Sequence, residues 1–331
     1  MAALTDQFGS ALSNIEPSDD DKDNAPEAHA EVREVLQADT ELADWGIDPA
    51  LIGSYARHVS IRRVNDVDVF CRLISLPSDI TRDELVERFF DVLTDEYGDA
   101  RVKRQDRSVQ ILFPSYDGLY VDAVPARPTD DGMWEIPERG DEGQWQKTNP
   151  LVLGDLTTEM NEHHKCLYVP TVKLVRQTRR ALLSKRPGGL WFEMATYEAC
   201  KRGVVPATGN QAEQYTTALE GIADLLDEKV DQGIDLPNPS MPEEVITVRA
   251  TDTQWRTAQR RVRDAATSAR EAFESTNRCW AALRFQRLLG GNDDFDRVFP
   301  MPADCNADGT KKSASLIAGD RTVPAGDRRF G

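Results

Sequence analysis

The spacing of apolar residues changes character near residue 150. Upstream, strand-length apolar runs alternate with helical spacing. A polar, acidic segment, EPSDDDKDNAPEAH, precedes the run HAEVREVLQ, which places Val32, Val35 and Leu36 on one helical face. Thr81 with Glu84 three residues on forms a capping-box pattern, and Leu85, Phe89 and Leu93 follow at helical spacing. SVQILF and LYVDAVPA, joined by PSYDG, predict two strands linked by a turn. The order helix, strand, helix, strand, strand predicts an α/β half.

Downstream the pattern is helical. YVPTVKLVRQTRRALLS predicts a basic amphipathic helix, LWFEMATYEAC a second, and Tyr215, Leu219, Ile222, Leu226 and Val230 a third. After the Pro-rich break GIDLPNPSMPEEV, one long helix is predicted from Thr253 to Leu289. Trp255, Ala258, Val262, Ala269, Phe273, Trp280 and Leu283 form its inward face. Beyond FDRVFP the chain turns to Gly, Ser, Asp, Lys and Arg. The expected division is a lobe over residues 1–150 with an N-terminal helix, a helical lobe over 151–302, and a flexible tail over 303–331.

Charge narrows the function classes. A formal net charge of −17 repels a phosphate backbone, so long nucleic acid is not an expected partner. The five cysteines, Cys71, Cys166, Cys200, Cys279 and Cys305, are odd in number and far apart. Without CxxC or CxH spacing, neither a disulfide framework nor a zinc site is expected. No apolar run approaches the roughly 18 residues of a membrane span, and the N-terminus lacks a signal-peptide pattern. The sequence therefore predicts a soluble, cytoplasmic protein.

The chemistry concentrates in GSYARHVSIRRVNDVDVF, residues 53–70. Residues two apart on a strand share a face, so Asp66 and Asp68 project together while Val67 and Val69 face the core. Neighbouring carboxylates repel unless a cation bridges them, and hard oxygen ligands suit Mg²⁺ or Mn²⁺. Asp122, in LYVDAVPA, supplies a third acid on an adjacent predicted strand, and three such carboxylates can hold two ions. Gly53 lets the backbone approach a phosphate, and Ser54 offers a hydroxyl and an amide donor.

These residues resemble the nucleotidyltransferase superfamily that includes DNA polymerase beta. Within it, the chain resembles the CD-NTase family, the bacterial cyclases related to cyclic GMP–AMP synthase that make signalling nucleotides in CBASS anti-phage defence. VDAVPA is similar to the third-carboxylate strand, WQKTNP to a Trp-x-x-x-Asn/Asp-Pro segment, and YVPTVKLVRQTRR to the start of the helical lobe. WAALRFQRLLGGNDDFDRVFP is similar to the closing helix and its Gly…Phe-Pro ending. The resemblance spans residues 30 to 302. It implies an α/β (α+β) fold, a polymerase-beta-like nucleotidyltransferase lobe with a mixed sheet and a C-terminal helical lobe. Asp66, Asp68 and Asp122 would hold two Mg²⁺ or Mn²⁺ ions, and Asp122 would activate the attacking ribose hydroxyl. Gly53 and Ser54 would contact the triphosphate of a nucleoside triphosphate, with Lys173 as a triphosphate-binding cation; alternatively, Lys173 joins Arg176 and Arg180 on a solvated basic face. Relatives carry a serine near the phosphates where this chain has RPGGLWFE.

Other positions stay open between two readings. Trp145 and Asn149 line a base pocket or pack structurally. Arg57, Arg62 and Arg63 touch phosphates or form a solvated charge run. His163 and His164 are expected in a surface loop. Gly331 ends the chain, and the resemblance implies a conjugation site there for a ubiquitin-activating-like enzyme, against a terminus without a role. The functional expectation is synthesis of a cyclic di- or oligonucleotide from nucleoside triphosphates with loss of pyrophosphate. Transfer to a protein, RNA end or small-molecule acceptor, and a catalytically silent nucleotide-binding module, are the alternatives.

Overall fold

The computed structural model describes residues 4–138, 140 and 144–312. The chain opens with α1 (Thr5–Ile15) and α2 (Asp19–Ala38), and the acidic segment is itself the first turn of α2. The Ser18 hydroxyl accepts from the Asp21 N–H while the Asp21 carboxylate accepts from the Ser18 N–H. Asp19, Asp20 and Asp21 thus sit where the helix dipole favours negative charge.

Next come α3 (Thr40–Asp44), β1 (Ile47–Ile52), the single turn α4 (Gly53–Ala56) and β2 (Asp66–Leu73). Helix α5 (Arg82–Tyr97) begins with the predicted capping box of Thr81 and Glu84. Strands β3 (Val102–Arg104), β4 (Val109–Phe113), β5 (Leu119–Pro128), β6 (Trp134–Pro137) and β7 (Trp145–Thr148) complete the sheet. Its order is β1-β2-β5-β4-β3, with β6 paired to β5 and β7 to β6. The pair β2–β5 is parallel and the others are antiparallel, so the sheet is mixed. Val67, Val69, Val109, Ile111, Val121 and Ala123 bury one face against Val32 and Leu36 of α2 and Leu85, Phe89 and Leu93 of α5. The acids lie on the other face.

The second half consists of α6 (Pro150–His163), α7 (Tyr168–Leu182), α8 (Gly189–Lys201), α9 (Gln211–Asp231), α10 (Asp252–Glu274) and α11 (Arg278–Leu289). The single long helix expected from Thr253 to Leu289 is two. Ser275 is extended, and the Asn277 side chain accepts from the Trp280 N–H at 3.1 Å to start α11. The break turns Trp280 and Leu283 out of the fully buried set, whereas Trp255, Ala258, Val262 and Ala269 are buried as expected.

Helix α1 packs in this helical core and not with the sheet beside which it begins. The Phe8 ring meets Phe285 and Phe299 edge-on at 5.0 and 5.1 Å. Val59 and Ile61, from the loop after α4, are buried in the same cluster. The segment carrying Gly53 and Ser54 is therefore anchored in both halves.

Two expectations about the end of the chain are corrected. Cys279 and Cys305 form a disulfide with a Cα–Cα distance of 5.3 Å, across a sequence separation of 26. The segment after Phe299 folds back over α11, so tertiary path and not local spacing brings the sulfurs together. Residues 303–312 are accordingly packed structure: the Lys312 N–H donates to the Asp304 carbonyl at 2.8 Å, and Gly309 lies against Leu283. Gly331, with the rest of residues 313–331, lies outside the described residues. Among the described residues, no helix is long and apolar enough to cross a membrane.

Candidate active site

Backbone pairing assembles the three acids. In the parallel pair β2–β5, Asp68 is the direct register partner of Asp122, and Asp66 lies opposite Tyr120. The period of two puts Asp66, Asp68 and Asp122 on one face, with Val67, Val69, Val121 and Ala123 buried behind them. On the other side of β2, Ile52 pairs with Asp68, which delivers Gly53 directly over the Asp68 carboxylate. Gly53 has φ +78°, and a Cβ there would stand 3.0 Å from Asp68 Cγ and closer still to Oδ2. Both the left-handed backbone and the close approach require glycine.

Asp68 is recessed and Asp66 exposed. Burial, then the charges of Asp66 and Asp122, push the Asp68 carboxyl up to about 7, against the opposing pull of Arg57 and Arg107. Gln110, the register partner of Asp122 on β4, donates to its Oδ1 at 3.3 Å. Ser54 holds its turn closed through a 2.9 Å hydroxyl–hydroxyl bond to Ser60, and its carbonyl accepts from the Val59 N–H. As placed, no three carboxylate, His or Cys groups among the described residues converge on a single point. The fit to hard divalent ions rests on the all-oxygen donor set, the shared face and the mutual repulsion concentrated on Asp68.

The facing wall is α7 and α8. The Lys173 ammonium is buried and lies 2.6 Å from both oxygens of Glu16, so in this structure it joins the end of α1 to α7. One turn further along, Arg176 donates to Glu193 Oε2 at 3.3 Å and leans on Gly189. Its charge interacts with Asp66. The cation of α7 that faces the acids is Arg176.

The arginines after Gly-Ser differ: Arg57 turns inward, Arg62 is half-buried and Arg63 is exposed. Arg57 is buried and grips fully buried Glu193 with two bonds, Nε to Oε1 at 2.6 Å and Nη2 to Oε2 at 3.2 Å. Arg62 and Arg63 pair with Asp294, and Arg63 also with Asp117. The Trp145 ring lies under the Arg127 guanidinium at 4.0 Å and packs against the sheet core, as a structural Trp does. Asn149 sits at the start of α6 without a side-chain capping bond. His163 ends α6 and is exposed. His164 is buried beside it and not in a surface loop, because the chain turns inward there toward Tyr168.

Residues 2–161, just under half of the chain, match the family model described as Second Messenger Oligonucleotide or Dinucleotide Synthetase domain. A cyclic AMP-AMP-AMP synthase from an Acinetobacter species is 28% identical over 306 residues, covering 86% of this chain and 83% of the relative. The chain is similar to the CD-NTases. Solved CD-NTases share its fold. CdnC of E. coli MS115-1 with ATP superposes with a TM-score of 0.69 at 18% identity, over 90% of this chain and 99% of that one. CdnG of Bradyrhizobium diazoefficiens with GTP gives 0.66 at 16% identity, over 86% and 97%. The polymerase-beta-like lobe with mixed sheet and the appended helical lobe are thus those of the CD-NTases.

Glu193 is the site-wall residue that spacing alone did not single out. Its signal in the sequence is an acid enclosed by Trp191, Phe192, Met194 and Ala195, all buried. A carboxylate on such a stretch needs a cationic partner from elsewhere in the fold.

Proposed function

We propose that this chain is a CD-NTase and makes a cyclic oligonucleotide from nucleoside triphosphates, ATP among them, with Mg²⁺ or Mn²⁺ held by Asp66, Asp68 and Asp122. The register pairing of Asp68 with Asp122 beneath Gly53 carries the reading: it sets three acids on one face, next to the Gly-Ser turn. The cyclic AMP-AMP-AMP synthase relative and the ATP-bound CdnC favour adenosine nucleotides as substrates.

In each step a ribose hydroxyl oxygen attacks the α-phosphorus, the bond to the bridging oxygen of the β-phosphate breaks, and pyrophosphate leaves. Bound divalent ions would lower the hydroxyl pKa and offset charge on the phosphates. Asp122 takes the hydroxyl proton, and its bond from Gln110 fixes the carboxylate plane. Gly53 and Ser54 hold the triphosphate on the sheet side while Arg176 offsets its charge from the helical side. The last step joins the chain to its own start and closes the ring.

Asp122→Asn tests the assignment directly: cyclic product falls by about 10²-fold or more while ATP binding persists. Retained turnover would remove Asp122 from the chemistry. The charge of −17 agrees with mononucleotide substrates in place of a long acceptor. A protein partner is known for a structural neighbour, the CdnC of E. coli MS115-1 in complex with HORMA-deltaN.

A further inference from the structure

Glu193 is fully buried, yet neither of its oxygens is left to the apolar core. Oε1 takes Arg57 Nε at 2.6 Å; Oε2 takes Arg57 Nη2 at 3.2 Å and Arg176 Nη1 at 3.3 Å. The two guanidinium groups come from opposite halves of the molecule. Arg57 closes α4, its N–H donating to the Gly53 carbonyl at 3.3 Å, whereas Arg176 belongs to α7. Glu193 itself stands in the second turn of α8. One carboxylate therefore ties the Gly-Ser turn to the helical wall across the cleft.

The charge balance adds to this. Two guanidinium groups and one carboxylate leave a net positive charge facing three aspartates. Arg57 interacts with Asp68 and Arg176 with Asp66, so each cation is shared between Glu193 and the acid cluster. A buried ion pair of this kind is weak as a source of stability but strong as a geometric constraint. A bidentate guanidinium–carboxylate fork fixes both direction and distance.

We propose that Glu193 is a positioning residue: by holding Arg57 and Arg176 together it sets the Gly-Ser turn and the helical-side cation at a fixed separation, and so the seat of the triphosphate between them. This rests on the reading of the cleft as a nucleoside triphosphate site. Glu193 touches no substrate and acts only through the two arginines.

The test measures affinity of the full-length protein for α,β-methylene ATP and for AMP with Mg²⁺, alongside melting temperature. A positioning role predicts that Glu193→Gln, which keeps shape but loses charge, lowers the ratio of the two affinities roughly tenfold, the scale of one charge-assisted hydrogen bond. Glu193→Asp, one methylene shorter, lowers it less. Arg176→Gln lowers it as Glu193→Gln does, with the Arg57–Glu193 fork still in place. A purely structural network predicts a lower melting temperature with the ratio unchanged, and that result overturns the proposal. Where Glu193→Gln fails to fold, an unchanged ratio in folded Glu193→Asp overturns it equally. Cyclic product from the wild type is assayed separately. Loss of the ratio without any wild-type product keeps Glu193 as positioning residue and refutes the synthase reading instead.

Discussion

Gly53 sits so close over Asp68 that the missing Cβ of Gly53 would fall 3.0 Å from Asp68 Cγ. The Gly-Ser turn and the central acid are thereby one unit, and a methyl group cannot enter without moving the carboxylate. Gly53→Ala also meets a left-handed backbone, φ +78°, which costs about 1–2 kcal/mol for a non-glycine residue. Expected is a loss of cyclic product of about 10²-fold or more, the scale of an ångström-sized misplacement. Circular dichroism of the variant should stay that of the wild type. Product at wild-type rate would show that the contact is dispensable.

Asp68→Asn should stabilise the protein while abolishing turnover. Its carboxyl is raised from 3.8 to about 7 by burial and by Asp66 and Asp122. An acid whose folded value lies above its unfolded one weakens folding once both states would otherwise be ionised. The destabilisation is thus absent below 3.8, grows between 3.8 and about 7, and is complete above that. Melting temperatures in chelator should show the variant above the wild type at pH 8 and equal to it near pH 3.5. A variant less stable at pH 8 would contradict the reading of the acids as mutually repelling.

His164 gives pH dependence of the opposite origin. Burial, then the charge of His163, lowers its pKa from 6.5. The folded state keeps it neutral, so protonation of the unfolded chain below 6.5 draws the equilibrium toward unfolding, until the pH passes below the folded value. Denaturant midpoints should fall from pH 7.5 to pH 5.5, and His164→Gln should flatten part of that slope. His29, lowered the same way, accounts for a further share. An unaltered slope in the variant would remove His164 from the effect.

The disulfide of Cys279 and Cys305 closes a loop across 26 residues. On the chain-entropy scale this contributes about 3.5 kcal/mol. Dithiothreitol, or Cys305→Ser, should lower the denaturant midpoint accordingly and open residues 303–312 to protease. Equal midpoints with and without reductant, for protein shown by peptide mass to be oxidised, would contradict the packing described for this segment.

Much of the site was legible because strand periodicity is rigid. Once GSYARHVSIRRVNDVDVF is a turn and strand, Asp66 and Asp68 must share a face, and LYVDAVPA must bring Asp122 to a neighbouring one. Capping at Thr81 and the core faces of α5, α7 and α9 followed equally from local spacing. What spacing could not supply were partners remote in sequence. Lys173 and Arg176 lie three residues apart on one basic face, and only the path of α1, which brings Glu16 against Lys173, separates their roles. The Cys279–Cys305 bridge likewise depends on where the chain returns after Phe299. The helix of HAEVREVLQ begins earlier than its apolar spacing shows, because the charges of the EPSDDD segment belong to the helix start, where the backbone dipole welcomes them.

The most direct test of the account incubates purified full-length protein with all four labelled nucleoside triphosphates and Mg²⁺ or Mn²⁺, followed by phosphatase and chromatography. A phosphatase-resistant product that requires ATP, and is absent from Asp66→Ala, is the predicted result. Label that accumulates only on a protein, RNA or small-molecule acceptor, or an Asp66→Ala variant as productive as the wild type, would contradict it.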